Sequence, residues 1–116
     1  MRHITDVNTL AFVAGEHILV HFQHSSALSF GVVKSTKYRM DGRIDISLDP
    51  GLWLCYTGPM CGRFVREDTI SLPEVISEYK IGVAESWDDF LDSLPLSLVI
   101  SCHLFIKRAH SMFVAE

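Results

Sequence analysis

The chain has no paired-cysteine pattern. Its 116 residues hold three cysteines, Cys55, Cys61 and Cys102, an odd number with no CxxC spacing. That argues against a secreted disulfide framework and fits a reducing compartment, so a cytoplasmic protein is expected. Long apolar runs are also missing. The longest, LPLSLVISCHLFI at 94–106, is interrupted by Ser97, Ser101 and His103 and is too short to span a bilayer. The opening MRHITDVNTLAF has no apolar core behind a basic start, so no signal peptide is expected.

Positive charge is scarce, with 10 Lys and Arg against 14 Asp and Glu and a net charge of −4. Nonspecific nucleic-acid binding needs basic surface, so this balance makes nucleic acid an unfavourable partner. There is no P-loop, dinucleotide fingerprint, nucleophile elbow or HExxH helix, and no cofactor is expected. With no repeat, low-complexity tract or linker, residues 1–116 read as one domain, long enough to bury a core.

What is present is a globular balance, 48% apolar and 21% charged. HILVHFQH at 17–24 alternates, with Ile18, Val20 and Phe22 on one side and His17, Leu19 and His21 on the other, as a half-buried strand does. Leu28, Phe30 and Val32 alternate in a second strand beyond a turn at HSSA. The stretch 36–48 reads as a hairpin. A two-residue Asp41-Gly42 loop would set polar against apolar residues. A three-residue loop, Met40-Asp41-Gly42, instead pairs Tyr38 with Ile44, Thr36 with Ile46 and Lys37 with Asp45. Asp49-Pro50-Gly51 reads as a turn, and LWLCY at 52–56 as a central strand. After a turn at Thr57-Gly58-Pro59, residues 61–66 run back as another strand with Phe64 inward.

Two short helices are expected between residues 71 and 94. Ser71-Leu72-Pro73-Glu74 has the form of a capping box, with Val75, Ile76 and Tyr79 on one face and Gly82 as a stop. Ser86 opens the second, with Asp88 and Asp89 in its first turn and Trp87, Phe90, Leu91 and Leu94 as its stripe. Leu96, Leu98, Ile100, Cys102, Leu104 and Ile106 then alternate as a long strand, and SMFVAE forms a last short strand or frays. TDVNTLAFVA at 5–14 adds a short N-terminal helix. The fold class is therefore α+β: a curved antiparallel sheet of five to seven strands, open or partly closed into a barrel, carrying two short helices.

Cys61 stands in the pentapeptide MCGRF at 60–64, with Arg66 close behind. MCGRF resembles the start of the SOS-response-associated peptidase family, whose members crosslink to abasic DNA sites, and a Leu-led segment ending in YKIG follows here as it does there. The resemblance would make Cys61 an N-terminal nucleophile. Here Met60 is internal, so Cys61 has no free α-amine without cleavage, and the family's Asn-rich motif, glutamate and histidine lack counterparts. Independently of that family, Arg63 and Arg66 would favour a thiolate at Cys61 and so a thiol-dependent enzyme. His17 and His21, two pleats apart on one strand face, raise a metal pair, although exposed polar positions explain them as well.

The charge distribution is more informative than these. Residues 1–66 carry seven Lys and Arg against five Asp and Glu, whereas residues 67–92 carry eight acids and one base, Lys80. Glu74, Glu78, Glu85, Asp88, Asp89 and Asp92 lie off the apolar stripes of the expected helices and form the candidate partner-binding set. Acid concentrated without interleaved lysines repels itself, and a basic partner surface would offset that through steered association. The sequence thus points to a small non-enzymatic binding protein, built like nuclease immunity proteins or phage inhibitors of bacterial defence, with a basic protein as partner and a homodimer as a further possibility. The alternatives are the enzyme centred on Cys61 and a small-barrel nucleic-acid module using Lys34, Lys37, Arg39, Arg43, Arg63 and Arg66, with Tyr38 as a stacking platform.

Overall fold

The computed structural model describes residues 1–4, 12–73 and 76–114. These form an α+β fold with seven strands, β1 (Arg2–Ile4), β2 (His17–Phe22), β3 (Ala27–Tyr38), β4 (Ile44–Cys55), β5 (Phe64–Arg66), β6 (Thr69–Leu72) and β7 (Tyr79–Ala84). Three helices follow, α1 (Trp87–Asp92), α2 (Leu96–Ser101) and α3 (His103–Val114). Every pairing is antiparallel, in the order β1-β7-β2-β3-β4-β5, and β6 takes the other half of β4's outer edge. The sheet is curved but does not close into a barrel. No helix among the described residues is long and apolar enough to cross a membrane.

The β3–β4 hairpin has the expected register. Tyr38 faces Ile44, Lys37 faces Asp45 and Thr36 faces Ile46. The Arg39 N–H donates to the Arg43 carbonyl at 2.8 Å, and Gly42 takes φ +86°, the left-handed position such a loop requires.

Asp49-Pro50-Gly51 does not end a strand as expected. β4 continues through it, with register shifts against β3 on either side of Val33. The irregularity moves β4's apolar residues from one face of the sheet to the other. Ile44, Ile46 and Leu48 enter one core, and Leu52 and Leu54 enter the opposite one. Glycine is needed where the strands cross most closely: a Cβ on Gly51 would lie 2.2 Å from the Glu67 carbonyl, and one on its partner Gly31 2.7 Å from the Pro50 carbonyl.

The first expected helix is absent. β6 occupies residues 69–72 with Ile70 and Leu72 buried, a short 3₁₀ turn spans Ile76–Glu78, and β7 follows directly. Period two overrides the capping-box signal here. Tyr79, Ile81 and Val83 alternate with exposed Lys80 and pack into the concave core, while β7's backbone is claimed by β2 on one side and β1 on the other. The second helix forms as read: Asp89 N–H donates to Ser86 Oγ at 3.1 Å, and Phe90 is buried.

The long C-terminal strand is also overturned. Residues 96–114 form α2 and α3, separated by Cys102 at φ −118°, ψ 55°. The buried residues are Leu98, Cys102, Phe105 and Ala109, at successive spacings of four, three and four. Apolar residues fill so many positions of 94–106 that they satisfy a strand parity and a helical stripe together. Length and the helical spacing of the longer segment decide it. SMFVAE accordingly continues α3 as far as Val114. Of the N-terminal helix expected over 5–14, residues 5–11 lie outside the described ones.

Candidate functional site

The acidic residues do not share one helical surface. Glu74 lies outside the described residues. Glu78 closes the 3₁₀ turn at one end of β7, and Glu85 follows its other end. A six-residue strand separates them, roughly 20 Å at strand rise. Asp89 is engaged within the fold: it accepts from the Met1 ammonium and, at 3.1 Å, from the Glu85 N–H. The ammonium first, and that N–H second, hold its carboxyl below the ordinary value. Glu85, Asp88 and Asp92 remain exposed at and along α1, whose last turn carries no base.

The same layer presents a feature missed in the sequence. Leu96, Ile100 and Leu104 are 73%, 61% and 72% exposed. They recur every four residues on the outer side of α2 and the start of α3, opposite Leu98, Cys102 and Phe105, which pack on the sheet. Leu96 follows Asp92 by four residues, so the apolar row begins where the acidic helix ends. Lys107 and Arg108 lie farther along α3. The four-residue spacing behind Pro95 was the legible signal for this row, hidden because reading by parity assigned Leu96 and Leu98 to one face.

The histidines go to separate partners. His17 stacks on Phe113 with ring centroids 4.1 Å apart, and its Nε2 donates to the Met112 carbonyl at 2.9 Å. His21 Nε2 is hydrogen-bonded to the Tyr56 hydroxyl, and Lys80 is its cross-strand neighbour. Burial first, and Lys80 second, push the His21 imidazole below its usual value and favour its neutral form. His21, Gln23, His24, Ser25, Ser26, Tyr56 and Lys80 line an open polar cleft of about 540 Å³. No period in the sequence links these residues, because Tyr56 reaches His21 from beyond β4. Among the described residues, no group of three His, Cys, Asp or Glu side chains is disposed to hold a metal ion.

Three of the basic residues pair with neighbouring groups, Arg39 and Arg66 in exposed ion pairs, while Lys34, Lys37 and Arg63 are exposed. Arg39 pairs with Asp41 at 2.9 Å, Arg43 Nε donates to Ser71 Oγ at 3.1 Å, and Arg66 pairs with Asp68 at 3.1 Å. The exposed Cys61 thiol donates to the Tyr56 carbonyl at 3.3 Å.

A buried hydroxyl and a half-buried carboxyl pair on the concave side. The fully buried Ser29 hydroxyl donates to Glu67 Oε2 at 2.6 Å. Burial pushes the Glu67 carboxyl up, opposed by the Ser29 bond. Ser29 faces Val20, so its role is to satisfy polar groups inside the aliphatic core.

In comparison with known proteins, no family model, no curated protein and no solved structure matches the chain.

Proposed function

We propose that this chain is a small, cytoplasmic, non-enzymatic binding protein of the inhibitor type. It docks its α1–α2 surface onto a protein partner that presents an apolar patch rimmed by Lys and Arg. The supporting observation is the row Leu96, Ile100 and Leu104, three large apolar side chains left in water, which follows in sequence the helix carrying the exposed carboxylates Asp88 and Asp92, with Glu85 just ahead of that helix. A row of apolar side chains bounded by charge is the composition of a docking surface, with a desolvated centre and a polar rim. The acid steers a basic partner, and the leucines and isoleucine hold it once seated. This reading keeps three of the six acidic positions and moves the centre of the surface from two acidic helices to one acidic helix and its apolar successor.

The test is capture from host lysate followed by titration of each purified interactor at low and moderate salt. Support is an interactor whose association slows with salt and with the charge reversals Glu85→Lys, Asp88→Lys and Asp92→Lys, and which is lost with Leu96→Ser, Ile100→Ser and Leu104→Ser. Interactors that bind both variants unchanged defeat the proposal. So does sedimentation showing that the apolar row is consumed by self-association, the homodimer.

A further inference from the structure

Two of the chain's three free thiols, Cys61 and Cys102, are 41 residues apart in sequence and are brought to neighbouring points of the fold. Cys61 lies in a tight turn reversed at Gly62, φ +84°, whose N–H donates to the Cys55 carbonyl at 3.1 Å. Cys102 lies at the break between α2 and α3, with its N–H still bonded to the Leu98 carbonyl at 2.9 Å. The turn rests against the break: a Cβ on Gly62 would come 3.8 Å from the Ser101 carbonyl, so Cys61 and Cys102 flank one contact between the two segments. Cys55 is turned toward its own loop, its thiol donating to the Thr57 carbonyl at 3.4 Å.

Exposure divides the pair. Cys61 is open to solvent, whereas Cys102 is 2% exposed. An oxidant therefore meets Cys61 first and finds a second sulfur already waiting behind it. That is the arrangement of an attacking and a resolving thiol.

We infer that Cys61 and Cys102 form a reversible intramolecular disulfide, a modification site that pins the turn after β4 to the α2–α3 junction. With a peroxide as oxidant, the Cys61 thiolate attacks the O–O bond, gives a sulfenic acid and releases one water after protonation. The Cys102 thiolate then attacks that sulfur, displacing hydroxide, which leaves as a second water. Two thiols are oxidised to one disulfide as one hydrogen peroxide is reduced to two waters. A dithiol reductant reverses the change by exchange. Burial raises the Cys102 thiol above its usual value, so the second step quickens as pH rises. The inference does not depend on the docking proposal, since its readouts are covalent mass and thermal midpoint.

The test treats the full chain with hydrogen peroxide, alkylates the remaining thiols with N-ethylmaleimide and maps the peptides under non-reducing conditions. The expected product is a Cys61–Cys102 crosslink with only Cys55 alkylated, restored to three alkylated cysteines by dithiothreitol. Closing so long a loop should raise the thermal midpoint by at least several degrees. Cys61→Ser, at an exposed position, should keep the reduced protein's midpoint and lose the oxidation-dependent shift. Cys55→Ser should retain both the crosslink and the shift. Three alkylated cysteines after oxidation, a crosslink through Cys55, or a disulfide-linked dimer would overturn it.

Discussion

The two faces of the sheet are filled by different chemistry. On the concave side Ile18, Val20, Val33, Ile44, Ile46, Leu48, Ile70, Leu72, Ile81 and Val83 form an aliphatic core with Tyr79, and the buried members among the described residues all come from strands. On the other side Phe30, Phe90 and Phe113 stack on one another, Trp87 packs on Phe90, and Phe105 meets Phe64. There helices supply half the core. Branched aliphatic side chains suit a pleated surface closing on itself, whereas flat rings bridge the wider gap between a sheet and helices laid over it. One face completes the fold internally. The other ends in a helical layer with its own outer surface, which is why the proposed docking row is found there.

The largest effect separating the faces should come from the aromatic side. Phe105→Ala removes a fully buried ring that anchors α3 and should cost about 3–5 kcal/mol in urea unfolding. Ile46→Val, equally buried in the concave core, should cost only about 0.5–1.5 kcal/mol, since one methylene is lost. Equal costs for the two would mean that α3 is not anchored through Phe105.

A second pair tests the helical layer directly. Leu98→Ala should cost about 2–5 kcal/mol, while Leu96→Ala should stay within about 0.5 kcal/mol of the parent. A strand over 94–106 would place both residues on one face and give them similar costs. Denaturant midpoints of the two variants therefore decide between strand and helix without any binding partner.

Gly51→Ala addresses the crossing that lets one strand serve both cores. Its Cβ would meet the Glu67 carbonyl and the Leu48 side chain at 2.2 and 2.7 Å. Backbone cannot yield as a flexible side chain does, so a loss of about 1–3 kcal/mol is expected. Ordinary stability in that variant would show the two halves of β4 to be less tightly joined than the strand crossing implies.

These comparisons also mark how far the sequence could be read. The hairpin was legible to the residue pair because loop chemistry and cross-strand matching act locally: Gly42 fixed the loop, and Lys37 against Asp45 fixed the register. The α1 start was legible for the same reason, through Ser86. At 71–82 two local signals conflicted, a capping box against the alternation of Tyr79, Ile81 and Val83. The outcome depended on β1 and β2, which lie far away in sequence and offer hydrogen bonds on both sides. At 96–106 the polar residues Ser97, Ser101 and His103 share one parity, so alternation stood out, while the apolar residues also satisfied the helical stripe that the fold uses. Of the candidate site, the acid at Glu85, Asp88 and Asp92 was visible as composition. Its apolar neighbour was not, because exposure of Leu96 is a property of the helix and not of the residue.

The smallest effects come from one partly buried titratable group on each face. Glu67 reaches Ser29 on the concave side, and its carboxyl is raised by burial. A raised carboxyl binds protons more readily when folded. Its stabilising contribution is therefore full below the unfolded value of about 4.3 and is lost as pH rises through the folded value. Glu67→Gln keeps an acceptor for Ser29 and should raise the urea midpoint at neutral pH. On the helical side His21 is lowered by burial and by Lys80, so its unfolded form binds protons more readily. Its contribution is full above about pH 6.5 and is lost as pH falls through the folded value. His21→Gln should flatten that limb and leave the Glu67 limb in place. The two substitutions alter opposite limbs of one pH–stability curve, so a shared change in both limbs from either variant would mean that the faces are coupled through the sheet and do not act as separate cores.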